Sequence, residues 1–291
     1  MKHNLNTLTA KKREGVPLAW LTCYDYSFAS VLNSTEIDLI LVGDSGGMVV
    51  LGYNDTVPVT MDEMIMLASS VRRGAPDKFI VGDMPKGSYE ASDELAINNA
   101  MRFCKEAGCD AIKLEGGLAM ASRIKAIVQS GIPVIGHLGL TPQSASSFGG
   151  YRIIGKKEDE VLKIKSDLVV LENSGVFGIL IEAVPPNIAK NVAKEARSII
   201  FGIGAGKHLD GQLLILHDLL GIFPKFRPKF AKCYIPDVLG AFSDQIEKTD
   251  DLVALGRSER KDGLAEISRL AVEKFILEVR SGQFPTEIFS Y

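Results

Sequence analysis

Short apolar runs rich in β-branched residues recur along the chain, and longer amphipathic stretches separate them. The runs read "LAWLTCYD" (18–25), "DLILVGD" (38–44), "FIVGD" (79–83), "AIKLEGG" (111–117), "PVIGHLG" (133–139), "GILIEAVP" (178–185), "SIIFGIGAG" (198–206) and "LLILHDLLG" (213–221). Near-continuous apolar character marks strands covered on both faces, as in a parallel sheet. The eighth run is ambiguous, because its leucines suit a helix as well as a strand. Helix patterns lie between the runs, at "TMDEMIMLASSVRRGAP" (60–76), "SDELAINNAMRFCKEAGCD" (92–110) and "GLAMASRIKAIVQSGIP" (117–133). The second has Ser92 at its capping position and Gly108 near its end, and the third stops on glycine–X–proline. This rhythm predicts an α/β fold, and eight units predict a (β/α)8 TIM barrel rather than an open sheet.

A length of 291 residues suits one such barrel with a tail. The expected organisation is a single barrel domain over 1–291, with a mostly helical C-terminal tail from about residue 238 to 280. The charge-rich "EKTDDLVALGRSERKDG" (247–263) reads as a solvated linker or insertion. With 46% hydrophobic residues, the chain has ample material for a core. A net charge of −3 gives no attraction to phosphate backbones or anionic lipid, so neither nucleic acid nor membrane is an expected partner. No apolar run approaches the roughly 18 residues needed to span a bilayer. The polar opening "MKHNLNTLTAKKREG" has no secretory h-region, so the expected location is cytoplasmic.

Carboxylates stand where several of the runs stop. Asp44 ends the second in "VGDSGG", Asp83 the third in "VGDMP", Glu115 the fourth in "IKLEGG" and Glu182 the sixth in "ILIEAVP". In a β/α barrel, catalytic side chains project from the C-terminal strand ends. Lys113 lies two residues before Glu115, so both share one face of the fourth strand. His137, in "GHLGLTPQS", takes a similar place in the fifth. A single aspartate after a strand is commonly a turn or cap residue, and "GDS" and "GDMP" are turn-like. Glu115 and Glu182, inside apolar runs, resist that reading, because carboxylates are rarely buried without a partner. Four acids and a lysine at strand ends point to one site.

Two or three carboxylates supply the hard oxygen ligands that Mg²⁺ prefers, leaving positions for water and substrate. A 2-oxo acid can chelate such an ion, which then stabilises the enolate formed when the neighbouring carbon loses a proton. A separate carboxylate is needed as base, and a lysine would offset negative charge. The pattern therefore predicts Mg²⁺-dependent enolisation and carbon–carbon bond chemistry. His137 either hydrogen-bonds the substrate or is a satisfied core imidazole. No histidine or cysteine spacing supports zinc, and Cys104 and Cys109 read as small hydrophobes flanking a helix C-terminus. "GIGAG" (202–206) lacks the dinucleotide and Walker patterns and reads as a tight βα turn after the seventh strand. "SFGGYRIIGK" (147–156) reads as a mobile loop with Arg152 and Lys156 solvated.

The strings "LTCYDYSFA", "LVGDSGGMVVLGYNDTVPVTMDEM", "IKLEGG", "PVIGHLGLTPQS", "IEAVP" and "GIGAGKHLDGQLLILHDLLG" carry more than this general logic. Together they resemble the 3-methyl-2-oxobutanoate (ketopantoate) hydroxymethyltransferase family, from about residue 7 to 235. The resemblance implies a barrel of the phosphoenolpyruvate mutase/isocitrate lyase type, assembled as a homodecamer. It implies transfer of a one-carbon unit from 5,10-methylenetetrahydrofolate to 3-methyl-2-oxobutanoate, giving 2-dehydropantoate for pantothenate. On this sequence it makes Asp44 and Asp83 the Mg²⁺ ligands, joined by Glu115 directly or through water. Ser45 and Lys113 would hold the oxo acid together with Asp44 and Asp83, His137 would sit beside it, and Glu182 would accept the proton. One departure is Lys86 in "MPKGSY", where the family usually has an aromatic residue after the proline. Another is the tail, which is longer than the family minimum. Lys86 either alters the pocket rim or points to solvent.

Two rivals remain at this level. One is a Mg²⁺-dependent lyase cleaving a carbon–carbon or carbon–phosphorus bond on the same scaffold. Against it, no cysteine occupies an acid position of a "KKCGH"-type loop. The other is a non-catalytic barrel, disfavoured because four strand-end carboxylates without a ligand carry an uncompensated desolvation cost.

Overall fold

The computed structural model describes residues 3–239 and 263–291, with backbone alone at 146–148. Eight parallel strands close into a barrel in chain order. They are β1 (Leu18–Thr22), β2 (Leu39–Val42), β3 (Phe79–Asp83), β4 (Ala111–Glu115), β5 (Val134–Gly139), β6 (Gly178–Glu182), β7 (Ile199–Ile203) and β8 (Gly211–Leu214). The helices are α1 (Leu5–Arg13), α2 (Tyr26–Asn33), α3 (Gly46–Val49), α4 (Met61–Gly74), α5 (Asp93–Lys105), α6 (Ala121–Gln129), α7 (Glu158–Asn173), α8 (Pro186–Glu195), α9 (Leu216–Leu220) and α10 (Leu264–Arg280). Seven of the eight apolar runs become strands that are buried nearly throughout, as covering on both faces requires.

The ambiguous eighth run divides. Its first two residues end β8, which starts earlier at Gly211, and the rest forms α9, closed by Gly221 at φ 68. Ile215, extended at φ −75 and ψ 123, is the joint. Between β7 and β8, residues 204–210 return the chain directly, with Gly204 and Gly206 at positive φ. "GIGAG" is thus a tight turn, but it leads to a strand and not to a helix. The helix expected over 92–110 stops at Lys105, with Gly108 in the loop beyond at φ 68. Ser92 caps that helix by accepting from the Leu95 N–H.

Three sets of contacts brace the barrel. At the N-terminal mouth, α1 buries Leu8, while Lys12 pairs with Asp210 at 2.9 Å and Lys11 pairs with Asp38. Inside, the Trp20 and Phe201 rings pack with centroids 4.8 Å apart. On the outside, α10 packs on α2, β1 and α9 and buries Phe275 against Tyr234 and Phe284. The charged stretch at 247–262 lies outside the described residues.

Candidate active site

Strand register brings the polar side chains together. Asp83 of β3 is directly opposite Lys113 of β4, Glu115 is opposite His137 of β5, and Gly139 is opposite Glu182 of β6. Since residues directly opposite share a face, these side chains climb one wall of the barrel mouth. Asp44 and Ser45 join them from the turn after β2. All seven residues singled out in the sequence line one cavity of about 380 Å³, within the range of small-molecule sites.

Contacts within the wall are short and buried. Lys113 Nζ lies 2.7 Å from Asp83 Oδ1, an ionic contact that is not aligned as a hydrogen bond. Asp83 Oδ2 accepts from the Asp44 N–H at 3.1 Å. His137 Nδ1 stands 3.3 Å from Lys113 Nζ and 3.4 Å from Glu115 Oε1. Its Nε2 lies 3.2 Å from Glu182 Oε2, close but again not aligned. With Nδ1 turned to an ammonium, the imidazole accepts there and carries its proton on Nε2, facing Glu182.

The charge balance is short of cations. Burial, and after it the neighbouring Asp83, push the Asp44 carboxyl well above its usual range. Glu115 is pushed up to about 8, by burial first, with Lys113 opposing. Burial alone would lower the Lys113 ammonium, but Asp83, Glu115 and Asp44 hold it above its ordinary value and keep it charged. His137 is pushed down by burial and by Lys113, so it is neutral. Burial raises Glu182, and the contact with His137 partly offsets this. Among the described residues no three histidine, cysteine or acidic side chains converge closely enough to hold an ion unaided. Mg²⁺ commonly takes only one or two carboxylates, with water and substrate completing its shell. A buried acid set deficient in positive charge fits such an ion.

Several residues of the site were not visible in the sequence pattern. Gln143 donates through Nε2 to Asp44 Oδ2 and to the Met84 carbonyl, both at 2.9 Å, and its backbone N–H donates to Glu115 Oε2 at 3.1 Å. Tyr89 donates to Gln143 Oε1 at 2.8 Å. Tyr24 and Ser45 share a hydrogen bond of 2.8 Å. The only available signal for Gln143 was its place in "GHLGLTPQS", just after a strand-end histidine. Tyr151 also lines the cavity, and Arg152 beside it pairs with Glu160 at 2.6 Å. Glu160 also accepts from the Gly155 and Lys156 N–H groups; Arg152 is solvent-exposed, as the sequence reading has it, and carries an ion pair besides. Lys86 is 40% exposed, stands 3.7 Å from Glu90 and does not line the cavity.

Beyond β6 the wall changes character. Ile203, Leu213 and Ile215 give way to Phe223, Phe226 and Pro228, and Asp218 stands among them. The cavity therefore has an acidic half and an apolar half.

The family model that matches residues 2–287 is described as ketopantoate hydroxymethyltransferase. A relative from Desulfotalea psychrophila, named 3-methyl-2-oxobutanoate hydroxymethyltransferase, is 44% identical over 98% of this chain and 92% of its own. One of the same name from Moorella thermoacetica is 44% identical over 99% of this chain and 97% of its own. Among solved structures, 2,3-dimethylmalate lyase of the PEP mutase/isocitrate lyase superfamily matches with a TM-score of 0.56 at 16% identity, covering 96% of this chain and 99% of that one. Phosphonopyruvate hydrolase matches with a TM-score of 0.58 at 11% identity, covering 96% and 98%. These structural likenesses concern the barrel alone.

Proposed function

The chain belongs to the ketopantoate hydroxymethyltransferase family and is a transferase, and from that premise we propose its reaction in detail. It transfers the methylene unit of 5,10-methylenetetrahydrofolate to 3-methyl-2-oxobutanoate, forming 2-dehydropantoate in pantothenate biosynthesis. The observation that carries the reading is the acidic half of the cavity, where one buried ammonium and one neutral imidazole stand among four carboxylates. Asp44 and Asp83 would hold Mg²⁺, with Glu115 joining directly or through water. When bound, the ion supplies Lewis acidity at the keto oxygen and the positive charge that the cluster lacks.

The chain's own residues do the rest. Ser45 and Lys113 hold the oxo acid's carboxylate, with the charged Lys113 offsetting negative charge that develops on the keto oxygen. Glu182, which faces the imidazole and not the ammonium, takes the proton from the carbon next to the keto group. His137 stands with Nε2 3.2 Å from Glu182 and so helps to position that carboxylate. The resulting carbanion equivalent forms the new bond to the methylene carbon and water supplies its hydroxyl. Both carbon–nitrogen bonds of the methylene bridge break, and the two folate nitrogens take up the proton held by Glu182 and one from the water as tetrahydrofolate departs. The same reading carries a single barrel domain with its helical tail, assembled as a homodecamer in the cytoplasm. No helix among the described residues is long and apolar enough to cross a membrane.

The test follows the α-proton of 3-methyl-2-oxobutanoate by NMR in D₂O, with and without Mg²⁺, for wild type and Glu182→Gln. Metal-dependent exchange that disappears in the variant supports the assignment. Exchange that persists in Glu182→Gln moves the base elsewhere. No exchange in any sample removes this oxo acid, and a carbon–carbon or carbon–phosphorus lyase becomes the better reading. A transfer assay with methylenetetrahydrofolate then decides the donor.

A further inference from the structure

Asp218 is the carboxylate in the cavity lining that the reaction above leaves unused. It is 5% exposed and lines the cavity from α9, yet among the described residues its carboxylate makes no hydrogen bond and no ion pair. Burial pushes it up to about 6, with exposed Arg227 opposing. Its oxygens open into the cavity and not into the packed core, so the partner they lack within the chain has to come from whatever fills that cavity. Position in the first turn of α9 does not supply that partner, because the carboxylate accepts from none of the helix's N–H groups.

Its surroundings narrow the missing partner. Phe223 and Phe226 lie on the same side of the cavity, their rings 5.6 Å apart and nearly perpendicular, with Pro228 beside them. Phe226 is 54% exposed, so this wall forms a rim and not a sealed core. Such an edge-to-face pair offers one ring face and one ring edge against which a planar heterocycle can pack. The other border is polar, since Asp218 is close enough to Tyr24 to influence its hydroxyl, which is hydrogen-bonded to Ser45. A ligand here must therefore be flat, reach toward the acid cluster and offer hydrogen-bond donors to a carboxylate. A 2-amino-4-oxopyrimidine ring meets these demands, because its ring N–H and amino group donate side by side to two carboxylate oxygens.

We propose that Asp218 is the recognition carboxylate for the 2-amino-4-oxopyrimidine edge of the folate co-substrate, with the fused ring lying against Phe223 and Phe226. This rests on the folate reading given above and adds to it a docking position and a specificity residue. A paired donor edge closing on a buried carboxylate gains charge-assisted hydrogen bonds that an analogue without the 2-amino group forms only in part.

The test measures binding by calorimetry on the full chain, with tetrahydrofolate and with an analogue lacking the 2-amino group, for wild type and Asp218→Asn. The expected result is that removing the amino group weakens wild-type binding about ten- to hundred-fold. Asp218→Asn is expected to weaken tetrahydrofolate binding by a similar factor while binding the two ligands almost equally. Equal affinity of wild type for both ligands would overturn the assignment. So would a variant that loses the same factor for each, which is what a merely structural role predicts. If the variant does not fold, the wild-type pair alone decides. A wild type that binds neither ligand removes the folate reading itself, and the assignment with it; binding to both with no discrimination removes only the assignment.

Discussion

Lys113 is held by acids from β3, β4 and the turn after β2, and its removal strands them. Lys113→Met leaves Asp83 buried without its 2.7 Å partner. Removing one member of a buried pair costs about 3–5 kcal/mol. Urea denaturation of the variant is expected to show a loss of that order, and α-proton exchange to fall below detection; full stability would mean that Asp83 has another partner. His137 offers a pH test. Its contact with Glu182 works against the burial that raises that carboxyl, so His137→Leu lets the raised value climb further. A base must be deprotonated to act, and activity is lost as pH falls through its pKa. The acid limb of the exchange profile is therefore expected to move to higher pH in His137→Leu, and an unmoved limb would separate the two residues. At this scale the sequence exposed the acids, because charge interrupting an apolar run is visible in one dimension. It hid Gln143 and Asp218, since one lies in an ordinary polar loop and the other in a leucine-rich segment.

Gly139 shows how a strand end serves the site. It sits at φ 88 directly opposite Glu182, and a Cβ there would collide with the Glu182 carbonyl oxygen. Left-handed backbone costs a non-glycine residue roughly 1–2 kcal/mol before any collision is counted. Gly139→Ala is expected to lower stability by at least about that amount and to slow exchange by displacing Glu182, the proposed base. Thermal unfolding and exchange rates measured together check this, and a fully active, stable variant would count against the role of the close approach. Immediately after Glu182, Ala183 takes φ 49, an uncommon conformation for a residue with a Cβ. The strands themselves were legible as apolar runs. The direct β7–β8 return was not, because a glycine-rich turn reads the same whether a helix or a strand follows it.

At the scale of the molecule, α10 completes the wall of helices from far along the sequence. Its Phe275 is fully buried, with ring centroids 5.9 Å from Tyr234 and 5.7 Å from Phe284. Phe275→Ala is expected to cost about 3–5 kcal/mol, read as a lowered urea midpoint, with exchange by the remaining folded protein close to wild type. A change under about 1 kcal/mol would show that the tail contributes little to the barrel. The sequence by itself determined the alternation of strand and helix, the barrel class and the acids at strand ends. Each of these follows from local hydrophobic patterning and from the cost of burying charge. Only the tertiary structure decided that β8 begins at Gly211, that Gln143 ties Asp44 to Glu115, and that the cavity divides into an acidic and an apolar half. Those features depend on which residues closure of the barrel sets side by side, and sequence separation carries no record of that distance.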